Sequence, residues 1–157
     1  MSKFRNWRFW VLAIFGFVAF QVSSAIAQDG IGSASAIRNR VEGIIGGDAR
    51  TLAAGSEVFR NEVLRTGEAA DAKLVFLDDT NLSVGPRSEV TLDRFVYDGD
   101  GTAGSVVVRA TRGIFRFVTG VQRPQNYLIA TPIATIGVRG TIFDLLVQQD
   151  RIIIILI

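Results

Sequence analysis

The chain has 157 residues, with 17 Lys+Arg against 15 Asp+Glu, no His and no Cys. That length builds one domain of ordinary size with a real core. Without Cys there is no disulfide framework and no thiolate chemistry; without His the usual zinc sites, His-based triads and imidazole general bases are excluded.

The N-terminus reads as an export signal. Residues 1–8 carry Lys3, Arg5 and Arg8 and no acid, and Phe9 to Phe20 follow as twelve residues without a charged, amide or hydroxyl side chain. Ala25-Ile-Ala27 then supplies the small-x-small pattern that a signal peptidase accepts. Residues 1–27 are therefore expected to be cleaved after Ala27, leaving Gln28 as the new N-terminus in a periplasmic or secreted protein. The competing reading keeps residues 9–26 as an uncleaved inner-membrane anchor facing the periplasm. Against it, the apolar run is shorter than the roughly 20 residues a spanning helix needs, and extending it takes in Gln21, Ser23 and Ser24. Removing the signal changes the formal charge from +2 to −1, so the basic pI of the whole chain is not a nucleic-acid footprint.

Residues 28–40 are polar and Gly/Ser-rich, and read as a flexible linker or frayed start. From Val41 to the end the apolar residues mostly alternate between Gly, Pro, Asn and Asp clusters, the mark of short half-buried strands. Residues 66–72 alone have room for a helical turn or two. Val75/Leu77, Leu82/Val84 and Val90/Leu92 repeat as apolar pairs at spacings of seven and eight residues, each pair expected on one strand face. Residues 41–157 are thus predicted to form an all-β domain in a rolled or solenoid-like architecture, with a β-sandwich as the alternative. Ser105 to Val118 is the longest strand region, with Phe115 and Phe117 on the core face and Arg112, Ile114 and Arg116 on the other. Gly113 interrupts it and marks a bulge or a close backbone approach.

Candidate chemistry is thin. Asp98-Gly-Asp100-Gly opens like a calcium loop but lacks the further ligands and closing Glu, and reads as a turn. Asp78-Asp79 is read as capping turn amides. A carboxylate-based hydrolase acting on envelope glycans would need two acids from the 78–100 region in one cleft. Arg109, Arg112 and Arg116 interleave with Phe, yet the stacking positions of an RNA-binding sheet motif would fall on Ile114 and Arg116. Gly43-Ile-Ile-Gly46-Gly47 lacks the spacing and the Lys of a phosphate loop. No catalytic, metal-binding or cofactor-binding residue is assigned, and no nucleic-acid partner is expected.

The most specific feature is Thr131-Pro-Ile-Ala-Thr-Ile-Gly-Val-Arg-Gly-Thr141. Pro132 suits a strand start or edge. Gly137 and Gly140 bracket Val138-Arg139, a spacing expected to need positive φ or tight packing. Arg139 is read as a structural clamp on turn carbonyls or on a carboxylate such as Asp79 or Asp144.

With Thr131-Pro132, Ala134 and Val138-Arg139-Gly140-Thr141-x-Phe143 in place of a TP-x-A…VRGT-x-F signature, the stretch from about Val41 to Val147 resembles the FecR family domain of bacterial cell envelopes. Leu52…Gly55…Val58, Leu64-Arg65-Thr66 and Phe76 to Pro86 resemble its other blocks, although Asp79-Thr80 stands where the family often has an Asp-Gly turn. The resemblance implies an extracytoplasmic binding or sensing module whose partner is an envelope protein or glycan, with a membrane contact only if the signal stays uncleaved. The namesake proteins are transmembrane regulators of a sigma factor; residues 1–8 hold no such cytoplasmic segment, so that role is not carried over. The last residues, Asp150 to Ile157, form an apolar strand without a polar tail, expected either to pair in a sheet or with a partner, or to mark a truncation.

Overall fold

The computed structural model describes residues 29–97, 104–138 and 142–157. The segment read as an export signal, with Ala25 and Ala27, the turn expected at Asp98–Asp100, and Arg139, Gly140 and Thr141 lie outside the described residues. Thirteen strands follow in chain order: β1 (Gly30–Arg38), β2 (Val41–Ile45), β3 (Asp48–Thr51), β4 (Glu57–Phe59), β5 (Val63–Thr66), β6 (Asp71–Phe76), β7 (Asn81–Val84), β8 (Glu89–Val96), β9 (Ser105–Val118), β10 (Tyr127–Ala130), β11 (Thr135–Gly137), β12 (Ile142–Val147) and β13 (Ile152–Leu156). The fold is nearly all β, as the alternation predicts. Pro124–Asn126 forms a single 3₁₀ turn, and residues 66–72 hold a turn and the start of β6 rather than a helix.

All thirteen strands belong to one curled sheet whose two wings share β9. The first half of β9 pairs with β8 on one side and β10 on the other, and that wing continues through β5 and β2 to β3, and through β10 to β11. The second half pairs with β7 and β12, and its wing runs through β6 and β1 to β4, and through β12 to β13. Every described ladder is antiparallel except β9–β10. The rolled sheet is therefore built from hairpins and crossovers, not from the stacked parallel rungs of a solenoid.

A bulge at Thr111, just before Gly113, makes the roll. Before it β9 buries Val106, Val108 and Ala110; after it, Phe115 and Phe117. The inward side chains change from even to odd positions, which a regular strand cannot do. The β8 register jumps from Val90↔Ala110 to Glu89↔Arg112, leaving one extra residue in β9, and Gly113 sits at φ +114. A bulge of this kind bends its strand, and here it folds one wing over the other. Phe76 of β6 meets Phe95 of β8 across the interior at 5.7 Å, and Phe117 stacks on Phe143 at 5.6 Å. Each such buried side chain contributes on the order of 1.5–3 kcal/mol.

Two sequence expectations are corrected. Residues 30–38, read as linker, are β1, which lies between β4 and β6 and buries Ile31 and Ala34. Its small residues suit it to that place: a Cβ on Gly32 would run into the backbone of Phe76. The sequence Lys73-Leu-Val-Phe-Leu77 is offset by one residue from the expected pairing. Leu74 and Phe76 are buried while Leu77 is 61% exposed, because four consecutive apolar residues carry no period to fix the phase. Leu82/Val84 and Val90/Leu92 point inward as expected.

Gly113→Ala is expected to destabilise the protein by about 2–3 kcal/mol, because its Cβ would fall within the buried Ser88 side chain and against Ser88 Cα. Gly137→Ala, with nothing within 4 Å of its Cβ, should change stability by less than about 0.5 kcal/mol. Thermal melts of the two variants check the contrast.

Candidate functional site

The turn between β6 and β7 places Asp78 in the interior, fully buried. Asp79 takes φ +63, so it supplies the left-handed residue that an Asp-Gly turn would place on glycine, and Thr80 does not need one. The Asp78 carboxylate accepts from the Thr80 amide (3.1 Å) and the Thr80 hydroxyl (2.8 Å), the turn capping expected of it. It also accepts from Gln122 Nε2 (3.0 Å) and the Tyr127 hydroxyl (3.0 Å), partners 44 and 49 residues away. Thr80 Oγ1 accepts in turn from the Gly120 amide at 3.1 Å, and Val121 donates its amide to the Asp78 carbonyl at 2.9 Å. Two hydroxyls, a side-chain amide and a backbone amide thus stand in for water around a buried acid, as burial requires.

This cluster ties down the base of the signature segment. Tyr127 opens β10, and its carbonyl accepts from the Val138 amide at the end of the β10–β11 hairpin (3.2 Å). At the hairpin tip Thr131 donates its amide to the Ala134 carbonyl at 2.8 Å, and its hydroxyl bonds to both backbone groups of Ala134. Pro132 stands in this turn rather than at a strand start. Gly137 has neither positive φ nor a close neighbour, which corrects the expectation of special backbone there; it is an exposed strand residue opposite Leu128. Of the carboxylates considered as partners for Arg139, Asp144 is engaged by Arg116 through two bonds of 2.6 and 2.7 Å. That contact holds the Asp144 carboxyl below the usual range and raises the guanidinium.

A second fully buried acid, Glu62, sits beneath β2 and β3. It receives Arg50 on both oxygens (2.9 and 3.1 Å) and the Phe59 amide (2.9 Å), while the Arg50 guanidinium lies 5.0 Å from the Phe59 ring centroid. A Cβ on Gly43 would collide with this carboxylate, so glycine clears its seat. On the outer faces, Glu89 pairs with Arg65 and Arg112, and Asp93 with Arg109. The Arg109, Arg112 and Arg116 group is thereby paired cross-strand with acids rather than forming a positive patch. No group of three His, Cys, Asp or Glu residues able to hold a metal ion occurs among the described residues.

Sequence reasoning found the capping Asp78 and missed Tyr127, Gln122, Glu62 and Arg50. A polar residue inside an apolar run is the only signal Glu62 offers, and nothing local marks Tyr127 as the partner of a turn 49 residues upstream.

In this all-β scaffold the two buried acids accept from internal donors and serve as structural anchors. The family model of the FecR protein matches residues 62–157, more than half of the chain, and the chain belongs to that family, one of regulatory and sensing proteins. No curated protein and no solved structure matches the chain. Among the described residues no helix is long and apolar enough to cross a membrane.

Asp78→Ala leaves three side-chain donors without their acceptor and should cost about 3 kcal/mol or more; Tyr127→Phe, which removes one bond to the carboxylate, about 1.5–3 kcal/mol. Burial, reinforced by the charge of Asp78, raises the Tyr127 hydroxyl above its ordinary value. The unfolded chain therefore releases the phenolic proton first, and the stability tied to it is intact below pH ~10 and falls as pH rises beyond. Denaturant titrations between neutral and alkaline pH should show a shallower alkaline loss in Tyr127→Phe than in the unaltered protein.

Proposed function

We propose that this protein is an exported, non-catalytic FecR-family module that binds an envelope protein or glycan and serves sensing rather than chemistry. The family match over residues 62–157 carries the reading. The geometry supports it: Asp78 and Glu62 are buried and saturated by structural donors, which leaves neither placed to act as general acid or base. The N-terminal signal with its Ala25-Ile-Ala27 site supplies the route out of the cytoplasm.

The contact surface we assign is the outward side of the β10–β11 hairpin and the loop before β10. Ile133 at the tip is 54% exposed and Val121 61% exposed, while Tyr127 and Val138 fix the hairpin base. Apolar side chains held outward on an anchored turn recognise a partner with little ordering cost.

Intact-mass measurement of the protein from its native host, with soluble and membrane envelope fractions kept apart, tests the export step. A soluble species beginning at Gln28 is expected; a full-length species confined to the membrane overturns it in favour of the anchor formed by residues 9–26. Retention on immobilised peptidoglycan or on an envelope-protein extract tests the binding role. Ile133→Asp should reduce retention about tenfold or more, and absence of retention in the unaltered protein overturns the role.

A further inference from the structure

The outer face of the second wing carries a continuous polar row. Lys73 of β6 lies opposite Ser83 of β7, Ser83 opposite Arg116 of β9, and Arg116 opposite Asp144 of β12. Residues opposite one another in antiparallel ladders share a face. Their strand neighbours Leu74, Leu82, Phe117 and Phe143 are buried, so parity turns the four polar side chains outward. The row crosses four strands and runs roughly 14 Å at the usual strand spacing.

Two of the four groups are uncommitted. Among the described residues the exposed Lys73 ammonium has no acid partner, and the Ser83 hydroxyl makes no hydrogen bond. Arg116 and Asp144 are joined by two bonds, which leaves three of the five guanidinium N–H groups and further carboxylate lone pairs available. Beside the row a groove of about 280 Å³ runs between Ser83, Gly85, Ile114, Arg116 and Asp144. Ile114, 51% exposed, is its apolar wall. A Cβ on Gly85 would stand 3.3 Å from that of Ile114, so glycine keeps the groove open.

We infer that this groove binds an acidic glycan, a disaccharide unit with one carboxylate, whose carboxylate meets Lys73 while its hydroxyls lie over Ser83 and the Arg116–Asp144 pair. The inference rests on the envelope-glycan reading proposed above and gives the glycan a face separate from the hairpin. A sugar hydroxyl donates and accepts at once, so a guanidinium and a carboxylate held side by side satisfy both functions. The C–H face of a pyranose ring rests against Ile114. The volume lies near the lower end of small-molecule sites, room for two rings and not for a folded partner. Charge selects among anions. The row offers one unpaired cation and keeps the negative Asp144 at its far end, so a single carboxylate is matched, whereas a polyphosphate or an anionic lipid surface meets repulsion.

The test uses the full chain, isotope-labelled and recovered from the envelope fraction of expressing cells. Amide shifts are followed during titration with cellobiouronic acid and with N-acetylglucosaminyl-N-acetylmuramic acid bearing a free lactyl carboxylate. Cellobiose and chitobiose are their neutral counterparts. Shifts are expected around Ser83, Ile114 and Arg116, with at least one acid binding about tenfold more tightly than its neutral counterpart. The tighter acid tells whether the carboxylate is that of a uronic sugar or of a lactyl group. Lys73→Met, at an exposed position, should abolish that preference while leaving the neutral sugars and the melting temperature unchanged. Ser83→Val, which keeps strand propensity, should weaken all four sugars. Ile133→Asp should weaken none of them, so failure of the hairpin contact and failure of this site are separable. No shift with any sugar, equal binding of acidic and neutral sugars, displacement by inorganic phosphate at equal concentration, or a Lys73→Met protein that keeps the preference overturns the inference.

Discussion

The whole architecture depends on β9 serving two wings with opposite inward parity, and that is possible only because the strand is bulged between Ala110 and Arg112, beside the left-handed Gly113. The extra residue opposite β8 and the φ of +114 exchange the faces of the strand in mid-course. What comes before the bulge packs Val106, Val108 and Ala110 inward, and what comes after packs Phe115 and Phe117. Ser88 completes the joint. It is buried, its hydroxyl accepts the Ile114 amide at 3.1 Å, and it donates to the Pro86 carbonyl. Thr66 braces the same corner by accepting the Ser88 amide at 2.9 Å and donating to the Gly85 carbonyl at 2.7 Å. A side chain at residue 113 would occupy the place Ser88 takes, so bend and brace require one another.

Buried polar groups form the second organising element. Asp78 joins the β6–β7 turn to the loop before β10, and Glu62 joins the β4–β5 turn to β3 through Arg50. Both acids sit where the curled sheet turns its corners, where backbone amides have left the ladders and need acceptors. A carboxylate there satisfies several donors at once, and burial strengthens each bond. The same saturation that makes these residues good anchors leaves them unsuited to proton transfer. The surface ion pairs, by contrast, are solvated and contribute little each; their effect is to set cross-strand partners and to cancel the positive charge of the arginines.

Chain order was readable where a local rule had one answer. The Asp78 turn, the interruption at Gly113, the inward Phe pair and the strand character of Leu82/Val84 and Val90/Leu92 all rest on interactions between near neighbours, and they stand as read. The misreadings share a cause as well. Gly30-Ile-Gly-Ser-Ala-Ser-Ala36 has the composition of a linker, yet close packing against Phe76 demands such small residues in a strand. Lys73 to Leu77 has apolar residues on both faces, so its inward set was decided by the neighbouring strands. Gly137 was credited with a conformational role that glycine spacing alone cannot establish.

By itself the sequence determined the all-β class, the missing residue types that close off thiol and imidazole chemistry, the apolar N-terminal segment and the blocks that mark the family. These follow from composition and from periods of a few residues, which act through local backbone preference and side-chain parity. Tertiary structure alone decided that β1 belongs to the sheet, that two distant acids are buried anchors, that Tyr127 meets Asp78, and that β13 pairs with β12. Each of these depends on which strand lies beside which, and that is settled by burial and hydrogen-bond satisfaction over the whole fold, at separations that no local pattern records.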